Sequence, residues 1–561
     1  MRQFISSMTV FFLLVSATAL ADPGEQVKDK TAAKAAAIDA IKKSLPDRQI
    51  EKEKLPLIDA LLAKDFVQAK KLANEDADPN QANIAGMSIL MLSAYVGEKD
   101  LVTLLLKKGA DVNARDSSNR TALMFASVKG DLDIAKALIA KGADVNAVND
   151  DNESSLHLAA GSGNIELVKV LLVSHTQVNL QDADGKSPLM IAAQAGHDNI
   201  GLLLLEHGAN DKAMNHDNKT VLMFAAEGEN PQLVNTLLDK GNNPSAKTRK
   251  KQFSAMHFAI WKGNHTIVES LLKAGADANG TMKDENTVLM AAISRNRPEI
   301  VSTLIKQGAD INAKEGHNRT PLMFAARSGL PEVIEQLLAK GAEVNAIDND
   351  HWTALNYASS NNHADAMGIL IDAGAKLELK EKSKGGTPLY LAAIHGNHTS
   401  LKYLLDRGAD SNARGFFETT SIMEAAKRGR AGFIDQLADK GGDVKTTDTH
   451  GMAAIHYAAM SKSADAVQAL LTHGADAHVK TKQGVTALIF SAWFGDINSI
   501  KVLLDAGADP NVIDNQGNTA LNYAINRSRS DNVIVLIEKA GGKKAEELSA
   551  GKAIRTSETI Q

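Results

Sequence analysis

Thr320-Pro321-Leu322-Met323-Phe324-Ala325-Ala326 runs on through Gly329 and Val333-Ile334 to Leu337-Leu338, and closes in Gly341-Ala342-Glu343-Val344-Asn345. Each part has a local reason. A Thr hydroxyl caps a helix whose first position is Pro, where no amide donor is required. The Ala pair lets neighbouring helices approach closely, and the Leu pair of a second helix fills the space behind. Gly341 supplies the left-handed residue that ends the second helix, and the stretch after it starts a projecting hairpin. The unit then recurs. Its capping position is held by Ser88, Thr121, Ser154, Ser187, Thr220, Ser254, Thr287, Thr320, Thr353, Thr387, Thr420, Ala453, Thr486 and Thr519, fourteen copies spaced by 33 or 34 residues. One such unit cannot bury its own apolar face, so an all-α repeat solenoid is predicted, in which neighbours bury one another.

These residues resemble the ankyrin repeat, whose period is about 33 residues and whose core reads Thr-Pro-Leu-His-x-Ala. The resemblance implies an ankyrin-type stack of helix-turn-helix units with projecting β-hairpin fingers, about fourteen repeats plus an N-terminal capping helix pair. One departure stands out. The fourth position is Met at 91, 124, 190, 223, 290, 323 and 423, and His only at 157, 257 and 456. Flexible Met suits apolar packing where His would make polar bridges. A longer rhythm overlies the first: His157, His257, Asn356 and His456, and likewise Lys141, Lys240, Lys340 and Lys440, recur every 99 or 100 residues. Tandem duplication of a three-repeat block, retained because it stacks well, is the leading reading, and a partner contacted once per three repeats is the alternative. The two 34-residue spacings, Thr220 to Ser254 and Thr353 to Thr387, place an extra residue in a finger, where insertions are tolerated.

Composition narrows the function. The 561 residues are 44% apolar but only 4% aromatic, and 62 basic residues nearly balance 67 acidic ones. That balance disfavours nucleic acid as a partner and leaves electrostatics to local patches. Arg2, the apolar run from Val10 to Val15, and Ala19-Leu20-Ala21 before Asp22 read as a secretory signal peptide over residues 1–21, cleaved after Ala21. No later segment has the length of apolar sequence that spans a membrane. The chain has no cysteine, which for an exported protein favours a bacterial periplasm. A periplasmic or secreted monomer is expected. Residues 22–54 read as a charged, partly helical linker, 55–85 as a degenerate N-terminal capping repeat, 86–544 as the repeats, and 545–561 as a disordered polar tail.

Motifs for chemistry fail on inspection. His395 and His398 have a ligand-like spacing without a third ligand, and Asp182-Ala183-Asp184-Gly185 lacks the closing Glu of a calcium loop and reads as a hairpin turn. No phosphate-binding glycine pattern or nucleophile elbow is present, so neither enzyme activity nor a cofactor or metal is expected. Asn119, Asn218 and Asn318 begin glycosylation-type triplets, but each sits where the turn needs a left-handed residue, which Asn tolerates.

What remains is protein binding. The resemblance implies a concave face built from finger tips and from the residues after the Ala pair. Large aromatics and Arg dominate interface energy, and they mark two groups there. The first comprises Arg249, Lys250, Lys251, Phe253, Trp261, Lys262, Arg295, Arg319 and Arg327; the second joins Phe416 and Phe417 to Trp493 and Phe494, and Trp352 stands at a finger end. A non-enzymatic scaffold in the cell envelope, acting as an inhibitor or immunity factor on a protein partner, is the leading expectation. A secreted bacterial effector that binds host proteins is the alternative, and an enzyme hidden in a variant repeat is disfavoured because no interval carries a long insertion.

Overall fold

The computed structural model describes residues 56–549 apart from 76 and 528. The signal peptide, the linker and the end of the tail therefore lie outside the described residues. The chain divides after Asp78 into two units. In the first, helices Pro56–Leu62 and Phe66–Asn74 pack on each other and bury Leu57, Ile58, Leu61, Ala69 and Ala73, and the Asp65 carboxylate caps the second helix by accepting from Gln68 N.

The second unit is a stack of fourteen helix pairs, from Ile89–Val96 with Lys99–Lys107 to Ala520–Asn526 with Asp531–Lys539. The two helices of a pair have different jobs, visible in their sequences. First helices are sandwiched between the first helices before and after them, so Val288, Leu289, Met290, Ala291, Ala292 and Ile293 are all buried in succession. Second helices bury one stripe, as in Ile267, Val268 and Leu271, and present charged residues on the other side. Each fully buried Leu or Ile contributes roughly 1.5–3 kcal/mol, and these contacts between neighbours hold the stack.

The ends of the helices follow the expected chemistry. Ser88 and Thr220 accept from Met91 N and Met223 N through their hydroxyls, each at 3.2 Å, and Pro188, Pro321 and Pro388 occupy the first helical position. Ala453 has no hydroxyl; its amide is held instead by His456 Nδ1 at 3.0 Å. The second helices end on left-handed glycines such as Gly341, φ 88°. Asn119, Asn218 and Asn318 are left-handed at φ 61°, 59° and 61°, as the turn requires.

The fingers differ from the stranded hairpins expected. Among the described residues they are tight turns, closed in six cases by one isolated antiparallel bridge such as Val148 with Ser154. The reason is a side chain five residues before the cap. Asp116 Oδ1 accepts from the amides of Ser118 and Arg120 at 3.0 and 2.8 Å, taking donors that a strand ladder would use. Asp182, Asp348, Asp448 and Asp514 repeat this, which makes Asp182-Ala183-Asp184-Gly185 a hairpin turn. The extra residues fall inside fingers, between Thr248 and Ser254 and between Glu381 and Thr387.

Asparagines also lace successive repeats together. Asn113 Nδ2 donates to Gly142 O at 3.1 Å while its Oδ1 accepts from Asp144 N at 2.8 Å, and Asn146, Asn279, Asn312, Asn345 and Asn412 stand in the same place. At the C-terminal end, residues 545–549 are helical, although the tail was expected to be disordered from 545. Asn522 explains it: its Oδ1 accepts from Ala545 N at 2.9 Å, and Ala545 is buried. No helix among the described residues is long and apolar enough to cross a membrane.

Candidate partner-binding face

The finger side of the first helices carries the aromatic residues. Phe253, Phe258 and Trp261 form one edge-to-face cluster, with ring centroids 4.5 Å apart for Phe253–Trp261, 5.4 Å for Phe258–Trp261 and 6.1 Å for Phe253–Phe258. Lys251 lies over the Phe253 ring at 5.8 Å, and exposed Arg249 and Lys250 project from the same finger. Lys262 stands 3.9 Å from Glu229, an exposed pair of little energetic weight. Beneath them, Lys219 sits between the Phe224 and Phe258 rings at 4.2 and 4.1 Å, paired with Glu227 at 2.5 Å. Burial holds the Lys219 ammonium below its usual value against the pull of Glu227.

Arg319 and Arg327 do not belong to this group. No ring contact or hydrogen bond joins Trp261 to Arg295, Arg319 or Arg327, because those arginines come from later repeats and each step moves along the stack. Arg319 is captured within its own finger: it donates to both oxygens of Glu315, at 2.9 and 3.2 Å, and lies over Phe324 at 5.2 Å. It braces a turn more than it offers a free cation. Burial pushes the Glu315 carboxyl up, but hydrogen bonds from Arg319 and His317 prevail and hold it at about 2. Trp352 lies 5.0 Å from the ring of Tyr357, whose hydroxyl donates to Asp348 at 2.6 Å. Arg319 and Arg327 act electrostatically on that tyrosine, whose pKa is raised first by burial and then by Asp348. Arg295 is exposed and stands apart from the aromatic cluster.

The second group also separates. Trp493 stacks on Tyr523 at 4.8 Å, Arg527 lies over the Trp493 ring at 4.4 Å, and Phe494 has Lys462 at 5.9 Å. Phe416 and Phe417 instead line a pocket of about 260 Å³ further up the chain, with Tyr390 and Tyr457 among its walls. Tyr390 donates to Glu424 at 3.1 Å and shares a 2.8 Å hydrogen bond with Thr419, and Tyr457 donates to Asp448 at 2.6 Å.

A family model for ankyrin repeats (3 copies) matches residues 53–149, 156–248, 256–348, 322–415, 422–514 and 478–547, most of the chain. The chain belongs to the ankyrin repeat family. No curated protein matches it. As an ankyrin repeat protein it is a scaffold for protein-protein interaction. The match begins at residue 53, which takes the helix pair Pro56–Asn74 into the family pattern.

The repeat also sets a row of aromatic residues that the two groups named from sequence leave out. Phe125, Phe224, Phe258, Phe324, Tyr357, Tyr457, Phe490 and Tyr523 all stand four residues after the cap. Their signal is their fixed place after the cap, which lies neither at a finger tip nor after the Ala pair. The fourth position behaves as its chemistry demands. His157 and His456 hold the cap through Nδ1 and reach Lys186 O and Val479 O through Nε2, each at 3.1 Å. His257 holds Ser254 in the same way, but its buried Nε2 has no partner, and burial, then Lys247, lowers its pKa to about 4. Met323 offers only sulfur to Thr320 N, at 3.4 Å. His398 contacts Gln436 and Phe433, and among the described residues no group of three His, Asp or Glu could hold a metal ion.

Proposed function

We propose that this ankyrin repeat protein is a non-enzymatic binding scaffold of the cell envelope, exported by residues 1–21, whose protein partner lies along the finger side of the stack. The observation that carries this is the half-buried pair Phe253 and Trp261, packed on buried Phe258 and framed by exposed Arg249, Lys250 and Lys251. Rigid aromatics beside cations are the composition of an interface hot spot. Arg249 and Lys250 have no ion-pair partner among the described residues, so a partner with carboxylates would gain pairs without breaking any. The balanced overall charge supports a protein partner over nucleic acid. An inhibitor or immunity role suits a protein that binds without chemistry, with the protein itself a monomer.

Crosslinking and affinity capture from envelope extract test this, comparing wild type with Trp261→Ala/Lys262→Glu. A partner captured by wild type and lost from the variant is the expected result; identical captured sets would remove this patch from the interface. A secreted effector is the second reading, since the same leader supports release. Fractionation separates the two: protein confined to the periplasm argues against the effector.

A further inference from the structure

The finger at residues 415–419 lacks the side-chain brace that Asp116 and its counterparts supply. Where Asp116, Asp348 and Asp448 brace their turns, this finger has Gly415, which has no side chain to accept the turn amides. Residues Phe416–Glu418 form a single 3-10 turn, and both Phe417 and Glu418 are left-handed, at φ 58° and 62°. Non-glycine residues in that region carry a cost of order 1 kcal/mol or more each. The turn does not use that cost to bury anything: Phe416 and Phe417 are 50% and 67% exposed.

Three glycines shape the space beside them. A Cβ at Gly386 would meet the Tyr390 ring at 2.5 Å, one at Gly385 would meet the Phe416 ring at 2.8 Å, and one at Gly415 would meet Lys384 O at 2.8 Å. Their absence of side chains lets Tyr390 and Phe416 face one another across the pocket. Its carboxylates are already engaged, Glu424 by Arg428 and Tyr390, Asp448 by Tyr457 and the amides of its own finger. Arg428 is held by Glu424, but the other two basic side chains of the wall, Lys384 and Lys427, are exposed and have no ion-pair partner among the described residues. Burial first, then Lys384, Arg428 and Arg430, hold the neighbouring His395 below its usual value.

Resting on the scaffold reading above, we propose that this pocket receives an acidic peptide segment of the partner, with an aromatic or large aliphatic side chain seated between Phe416, Phe417 and Tyr390 and flanking carboxylates on Lys384 and Lys427. The apolar walls fix one side chain and the two free ammonium groups select the charge beside it.

A random dodecapeptide library displayed on phage and panned against the full chain tests this. Enriched sequences should place Phe, Tyr, Trp or Leu next to Asp or Glu. A fluorescein-labelled synthetic peptide of the enriched sequence should then bind wild type in an anisotropy titration. It should bind roughly tenfold or more weakly to Phe417→Gly and to Lys384→Glu/Lys427→Glu. Phe417→Gly keeps the fold, because glycine adopts φ 58° without strain, so its thermal midpoint should be unchanged or raised. No enrichment, enriched peptides without acidic residues, unchanged affinity in both variants, or displacement of the peptide by short single-stranded DNA as effectively as by unlabelled peptide would each overturn the proposal. The two readings fail separately. Phe417→Gly retaining the envelope partner that Trp261→Ala/Lys262→Glu loses would refute this pocket alone.

Discussion

Replacing Glu315 by Gln should destabilise the finger and first helix around it at neutral pH and do progressively less harm as the solution is acidified. Glu315 is 2% exposed and takes two hydrogen bonds from the Arg319 guanidinium, with the amides of His317 and Arg319 on the same carboxylate. Folding lowers its pKa from 4.5 to about 2. A carboxyl whose pKa falls on folding stabilises the protein above its unfolded value, and that stabilisation is lost as pH drops from about 4.5 towards 2. The full shift corresponds to about 3 kcal/mol at pH 7, of which about 2 kcal/mol is gone by pH 3. Gln keeps one acceptor and never carries the charge, so the wild-type advantage over Glu315→Gln should shrink by about 2 kcal/mol between pH 7 and pH 3. Because a repeat stack opens locally, the assay is amide hydrogen exchange by mass spectrometry over peptides spanning 315–328, with intrinsic rates corrected for pH. A difference between the two proteins that is the same at both pH values would refute the assignment of Glu315 as a charged brace.

Other positions give sharper or simpler tests. His257, lowered from 6.5 to about 4 by burial, stabilises the fold above pH 6.5 and loses that contribution on acidification. Between pH 7.5 and 5, urea titrations should show wild type losing about 2 kcal/mol relative to His257→Asn, the residue that fills this position at Asn356 and Asn522. Lys219→Ala removes a stem packed between two rings and leaves Glu227 only its hydrogen bond from Gln194, so local stability measured by exchange over 219–227 should fall by about 2 kcal/mol. Leu271→Ala, at a fully buried site, should cost about 2–5 kcal/mol in its own and adjoining repeats while distant repeats keep their protection.

The parts of the fold that local chemistry dictates were legible from single residues. Caps at Ser88 or Thr220, prolines at 188, 321 and 388, and left-handed Asn119, Asn218 and Asn318 all depend on neighbours within one turn, so their identity reports their conformation. The grouping of the binding residues was less legible. Trp261, Phe253 and their finger cations did come together, since they belong to one repeat. Arg319 did not join them, because Glu315, four residues away and buried, competes successfully for its guanidinium. Phe416 and Trp493 are both aromatic and both on the finger side, yet the first opens onto a pocket with Tyr390 and the second is covered by Tyr523 and Arg527.

The sequence by itself determined that the chain is a stack, how many units it has, where each helix begins and ends, and that Leu, Ala and Val fill the interior. Those properties follow from a period and from contacts between adjacent copies, both of which are written along the chain. Tertiary structure alone decided which side chains remain free to meet a partner. Whether Arg319 is a brace, Lys219 a buried cation and Lys384 an available one depends on which carboxylate or ring lies within a few ångströms of it. Those distances arise between residues that the repeat brings together across fingers and neighbouring helices.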